Sequence, residues 1–137
     1  MAEVNQFKWV GVRPVTPYEG IPVFQYIPEG AEKVWAYKYA ENEWKVIYTV
    51  PSGKKLYLCL AILMVRAYAD GHGFLCVYDN TGVLQYCLAV TSKSAIDGDT
   101  YPIPFPLPLE INEGWEIRLR SSTTSFYSYG FIFGYLL

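Results

Sequence analysis

Tyr101-Pro102-Ile103-Pro104-Phe105-Pro106-Leu107-Pro108-Leu109 sets a proline at every second position and a large apolar residue between each pair. In an extended strand, alternate residues point their N–H groups toward the same edge, and proline has none to point. The segment can therefore pair along one edge only. Tyr101, Ile103, Phe105, Leu107 and Leu109 share the opposite face and are expected to pack inward. The reading is an edge strand that cannot recruit a further strand. A polyproline linker is the competing reading, and the large apolar partners speak against it.

The segments around this strand have the same character. Short runs rich in aromatic and β-branched residues alternate with Gly, Asn, Asp and Ser clusters. Trp44 to Val50 is stopped by Pro51-Ser52-Gly53. Leu56 to Ala69 is long enough to bend or to serve two sheets. Asp70-Gly71-His72-Gly73 reads as a turn into Phe74–Tyr78, and Asp79-Asn80-Thr81-Gly82 as a turn into Val83–Val90. A polar loop is expected from Thr91 to Asp99. Asn112-Glu113-Gly114 then leads into Trp115–Arg120, with Trp, Ile and Leu on one face and Glu, Arg and Arg on the other. The final run, Phe126 to Leu137, has almost no charge and belongs inside a sheet or against another subunit. No window carries helical spacing. The fold class expected is all-β, an antiparallel β-sandwich over residues 44–137.

Residues 1–43 differ. Pro14, Pro17, Pro22 and Pro28 interrupt them, yet they carry Phe7, Trp9, Tyr18, Phe24, Tyr26, Trp35, Tyr37 and Tyr39. A disordered tail is poor in aromatics, whereas an arm that orders against a surface needs them. The expectation is an extended N-terminal arm with irregular or short β segments, anchored on a partner by Phe7, Trp9, Phe24, Tyr26 and Trp35. Two or three ordinary sandwich strands would account for the same residues.

Composition narrows the function. Apolar residues make up 52% of 137 positions and charged residues 18%, with 11 basic against 13 acidic side chains. A chain this small has much surface for its volume and cannot hide so much apolar area alone, so part of it is expected to lie against partners. Near-balanced charge with no basic stripe argues against nucleic acid. The longest apolar run, Leu56 to Val65, is far short of the roughly 20 residues that cross a bilayer, and no membrane partner is expected. Cys59, Cys76 and Cys87 lie in apolar strand-like runs and read as reduced core thiols of a chain made in a cytoplasm.

Enzyme chemistry finds little to stand on. The single histidine, His72, is flanked by glycines and reads as a solvated turn residue; one His cannot build a cupin-type metal site. The cysteines lack zinc spacing. Asp97-Gly98-Asp99 offers two oxygens without the rest of a calcium loop. No catalytic, cofactor or metal residue is assigned. Exposed Tyr and Trp rings serve a sugar platform and a subunit contact equally well.

Tyr48-Thr49-Val50-Pro51-Ser52-Gly53-Lys54-Lys55-Leu56-Tyr57-Leu58 resembles the opening strand pair of small jelly-roll domains on tailed-phage virions. Pro106-Leu107-Pro108-Leu109-Glu110-Ile111-Asn112-Glu113-Gly114-Trp115-Glu116-Ile117 is similar to their later hairpin, and Phe131-Ile132-Phe133-Gly134-Tyr135 to their closing strand. The likeness runs from Tyr48 to the last residue as a pattern of turns, shared with other jelly rolls, and carries no family's functional residues over. It implies a jelly-roll-like sandwich, a homotrimer, and a place on the virion after synthesis in the host cytoplasm. The implied function is capsid decoration, a cement protein bound to the major capsid protein or other virion subunits. The alternative is a receptor- or glycan-binding head of a tail fibre or baseplate, with specificity in Thr91–Asp99 and Ser121–Ser125.

Overall fold

Eight strands follow one another with no helix between them in the computed structural model, which describes residues 27–137. They are β1 (Glu32–Glu41), β2 (Trp44–Thr49), β3 (Leu56–Ala67), β4 (Gly71–Tyr78), β5 (Leu84–Lys93), β6 (Asp97–Ile111), β7 (Glu116–Ser121) and β8 (Phe126–Leu136). They form two four-stranded antiparallel sheets, ordered β1-β8-β3-β6 and β2-β7-β4-β5. Successive strands from β1 to β4 and from β5 to β8 alternate between sheets. Chain neighbours therefore seldom pair, which is the jelly-roll order.

The proline-spaced strand is an edge. Among the described residues β6 pairs only with β3, in keeping with its missing donors. One part of its expected packing fails. Tyr101, Phe105 and Leu109 do pack on the core, but Leu107 is 84% exposed. The ladder passes from Leu60↔Pro104 to Leu58↔Leu109, so Phe105 to Pro108 bow out opposite the single residue Cys59.

Glu32–Glu41, expected in the arm, is a full strand paired along its length with the C-terminal strand. Among the described residues the sandwich therefore includes Glu32–Glu41 as well as the strands from Trp44 onward, and Trp35 belongs to it. Phe7, Trp9, Phe24 and Tyr26 lie outside the described residues. Leu56 to Ala69 does not serve two sheets, since β3 stays in one, held between β8 and β6. The loop expected over Thr91–Asp99 shrinks to Ser94–Ile96 between β5 and β6.

Between the sheets lies a core of fully buried Leu56, Leu58, Leu63, Leu75, Ile111, Ile117, Leu119, Phe126 and Ile132. Each such side chain contributes about 1.5–3 kcal/mol over leaving it in water. The gap between sheets is narrow in places. Gly71 and Gly73 are not turn residues but lie in β4. A methyl on Gly73 would come within 2.8 Å of Ser128 Oγ and of Val65 Cγ1. Space, not a left-handed turn, requires them there. The turns expected at Pro51-Ser52-Gly53, Asp79–Gly82 and Asn112–Gly114 are present, each with its glycine at positive φ.

The cysteines also depart from expectation. A bulge in β5 brings Cys87 directly opposite Cys76 on the outer surface of the second sheet, where they form a disulfide. Eleven residues of separation across a hairpin concealed that pairing. Only Cys59 is a free buried thiol, its pKa raised by burial.

Candidate functional site

β8 decides which surface is available for function. Its even positions, Phe126, Ser128, Gly130, Ile132, Gly134 and Leu136, face the core, and three of the six are Ser or Gly. Its odd positions, Tyr127, Tyr129, Phe131, Phe133 and Tyr135, face outward. Size alone would have turned the aromatics inward. The close approach of the second sheet forbids it, since Ile47, Leu119 and Leu75 already press on Gly130.

Register extends this outward row across the sheet. From β1 through β8 and β3 to β6, the outer face holds five rungs. The first is Lys33, Tyr135, Tyr57 and Glu110. Then come Trp35, Phe133, Leu60 and Pro104, followed by Tyr37, Phe131, Ile62 and Pro102. The fourth is Tyr39, Tyr129, Met64 and Thr100, and the last is Glu41, Tyr127, Arg66 and Gly98. The three middle rungs contain no charged side chain.

The rings on this face brace one another. Trp35 lies 4.1 Å from Phe133 and 5.5 Å from Phe131, centroid to centroid. Tyr57 stacks on Tyr135 at 5.2 Å, and Tyr39 on Tyr127 at 5.9 Å. Such packing fixes the rotamers, so an incoming surface meets a preformed platform. Trp35 is nevertheless 63% exposed and Tyr37 56%. The Tyr39 phenol is held above its ordinary pKa, first by the loss of solvent and then by Glu41.

The opposite outer face is different in kind. On the second sheet Arg118 is layered between Trp44 at 4.5 Å and Tyr78 at 4.2 Å, and its guanidinium bonds Glu116 at 2.8 Å. Arg120, His72 and Ser92 share that surface. It is an aromatic surface already capped by its own cations, and needs no partner.

Two open clefts flank the apolar platform at the β3–β6 end. One, about 330 Å³, is lined by Arg66, Tyr68, Ile96 and Asp97, and the other, about 440 Å³, by Met64, Asp99, Thr100 and Tyr129. Asp97 and Asp99 both bind Lys93, at 3.8 and 3.4 Å, rather than converging on a common point. Asp99 is held below its ordinary pKa by the Thr100 N–H first and by Lys93 next. Among the described residues no group of three or more His, Cys, Asp or Glu is placed to hold a metal ion.

His72 is a strand residue on the outer face of β4, not a turn residue. Its Nδ1 lies 2.6 Å from Ser92 Oγ. No carboxylate bonds the ring among the described residues, so nothing fixes a tautomer for Ser92 activation, and no triad is assembled.

Of the five residues expected to anchor a partner, only Trp35 can be placed, and it stands at the β1 end of the second rung. Sequence reasoning missed Tyr37, Tyr39, Leu60, Ile62, Phe131 and Phe133 as one surface. The available signal was that both faces of β3 and of β8 are apolar, one more than a single core needs. The sequence matches no protein-family model, and no curated protein is significantly similar to it.

Proposed function

We propose that this chain is a structural subunit of a virus particle, a decoration protein of the capsid exterior that works through protein–protein contacts. In this reading it self-associates, as a trimer by the implied resemblance, and holds to the major capsid protein. The observation that carries the proposal is the set of three uncharged aromatic and aliphatic rungs on one outer face, beside a second face that caps its own aromatics with arginine. A surface of this kind is costly in water and is characteristic of subunit contacts.

Three further features support it. Jelly rolls are frequent in capsid proteins, although the fold also serves lectins and so weighs little alone. The proline edge stops open-ended strand pairing, which a protein packed at high density on a shell must avoid. The Cys76–Cys87 disulfide suits a particle that leaves the reducing cell, forming after synthesis in the cytoplasm. The test is to pellet particles from the native source and to quantify and gold-label this chain on them. Regular labelling at many copies per particle is expected. Confinement to the soluble fraction refutes the proposal.

A receptor- or glycan-binding head of a tail fibre or baseplate is the second reading. It is favoured by the two clefts, where Tyr68, Tyr127 and Tyr129 stand near Arg66, Asp97 and Asp99. Rings beside hydrogen-bonding groups are what sugar recognition uses. Reproducible binding on a glycan array, abolished by Arg66→Ala, would support this reading.

A further inference from the structure

We infer that the aromatic face is covered by the same face of a second copy, in a twofold, face-to-face pair. This rests on the reading of that face as a subunit contact and names its occupant.

The argument is one of charge placement. Four charged residues mark the ends of the otherwise neutral platform: Lys33 and Glu110 in the first rung, Glu41 and Arg66 in the last. Signs alternate around the rectangle, positive at Lys33, negative at Glu110, positive at Arg66 and negative at Glu41. Two copies packed face to face can be related by a twofold axis along the strands or across them. Along the strands, Lys33 meets Glu110 of the other copy and Glu41 falls beside Arg66. Across them, Lys33 meets Glu41 and Glu110 falls beside Arg66. Either operation brings opposite charges together, which an isologous contact requires and a random edge would not supply.

Among the described residues, local partners do not consume these groups. Glu110 takes a 3.1 Å bond from exposed Lys55 and still has a second oxygen. One Glu41 oxygen, Oε2, accepts from the Ser125 N–H at 2.8 Å, and Arg66 lies over Tyr68 at 5.7 Å.

Size fits as well. Four strands about 4.8 Å apart, with nine residues from first rung to last at about 3.3 Å each, give a face of roughly 600 Å² in projection. Side-chain relief raises the accessible area above that, toward the roughly 800 Å² that each partner buries in a stable contact. Two twisted sheets stack readily with their strands near parallel.

A twofold contact gives an even number of copies. Alone it makes a dimer; combined with a threefold contact it makes a hexamer and not a lone trimer. Sedimentation and light scattering on the full chain are expected to show one of those. Lys33→Glu should weaken assembly at least tenfold at low salt, with the melting curve of each variant reporting folding separately. Lys33→Glu with Glu110→Lys should restore it if the axis runs along the strands, and Lys33→Glu with Glu41→Lys if it runs across. Restoration by either pair supports the inference. A monomer at every concentration, a lone trimer, indifference to Lys33→Glu, or failure of both pairs overturns it. A chain that fails here but still coats particles would lose the second copy as occupant while keeping its place on the shell.

Discussion

Trp35→Ala separates the role of the aromatic face in folding from its role in assembly. Within one subunit the indole is 63% exposed and touches chiefly Phe133 and Phe131. Each such ring pair is worth about 0.5–1.5 kcal/mol, so losing both should cost the isolated fold about 1–3 kcal/mol. That lowers Tm by several degrees and leaves the sandwich intact. Across a subunit contact the same ring, a largely exposed indole on edge strand β1 in the second of five rungs, is covered by the partner. A tryptophan so placed costs about 2 kcal/mol or more when removed, and a twofold contact loses it twice. About 4 kcal/mol is close to a thousandfold in the dissociation constant. Trp44→Ala is the control, because Trp44 is 56% exposed on the other sheet and stacked on Arg118. Sedimentation velocity over a wide concentration range reads assembly, and thermal melts read folding. Trp35→Ala should dissociate the protein while Trp44→Ala does not. If both variants assemble within threefold of the native protein, the outer face of the first sheet is not a subunit contact.

Gly134→Ala should destabilise by about 3 kcal/mol or more, because a methyl there overlaps the Tyr57 carbonyl oxygen at the β3 bulge; chemical denaturation measures it. Ser128→Ala should leave Tm unchanged or raise it, since the Ser128 hydroxyl is buried with no hydrogen-bond partner among the described residues. Reducing the Cys76–Cys87 bond should cost about 3 kcal/mol, the value for closing a loop of this length, and leave a folded domain by circular dichroism. Asp79 is held below its ordinary pKa by the Thr81 hydroxyl first and the Val83 N–H next. Its stabilising effect is present above its unfolded pKa of 3.8 and fades as pH falls through the lower folded value. Asp79→Asn should therefore lower Tm at pH 7, and the gap from native should narrow below about pH 4.

The strands were readable because their boundaries are chemical. Prolines at alternate positions fixed an edge, and the glycines of three turns needed positive φ that no run of β-branched residues supplies. What escaped reading was the third dimension. Trp35 and Tyr39 follow directly on a stretch broken by prolines and glycines and look like parts of an arm, yet β1 flanks the first sheet by pairing with β8. That pairing spans nearly the whole described chain, and no local pattern encodes it. Gly71 and Gly73 look like a turn for a related reason. Their smallness answers to Phe126, Ser128 and Val65, which arrive from other strands. Cys76 and Cys87 look like core thiols because the bulge that brings them together is a register shift, invisible to alternation.

The aromatic face was hidden by the same logic and becomes informative because of it. A sandwich has one interior, and a strand in it needs one apolar side. β8 has two, and its larger side chains lie on the side that faces away from the core. Evolution could have met the core's demand with Leu or Val at the even positions and charge at the odd ones, as β7 does with Ile117 and Leu119 against Arg118 and Arg120. Instead the inner side of β8 gives three of its six places to Ser128, Gly130 and Gly134, while all five outer places carry Tyr or Phe. Folding alone gives no return on that arrangement, since exposed rings gain only partial burial against one another. The return comes when a second surface completes the burial. The charged ends of the platform then decide which surface that is, because hydrophobic contact has no direction and alternating charge has one.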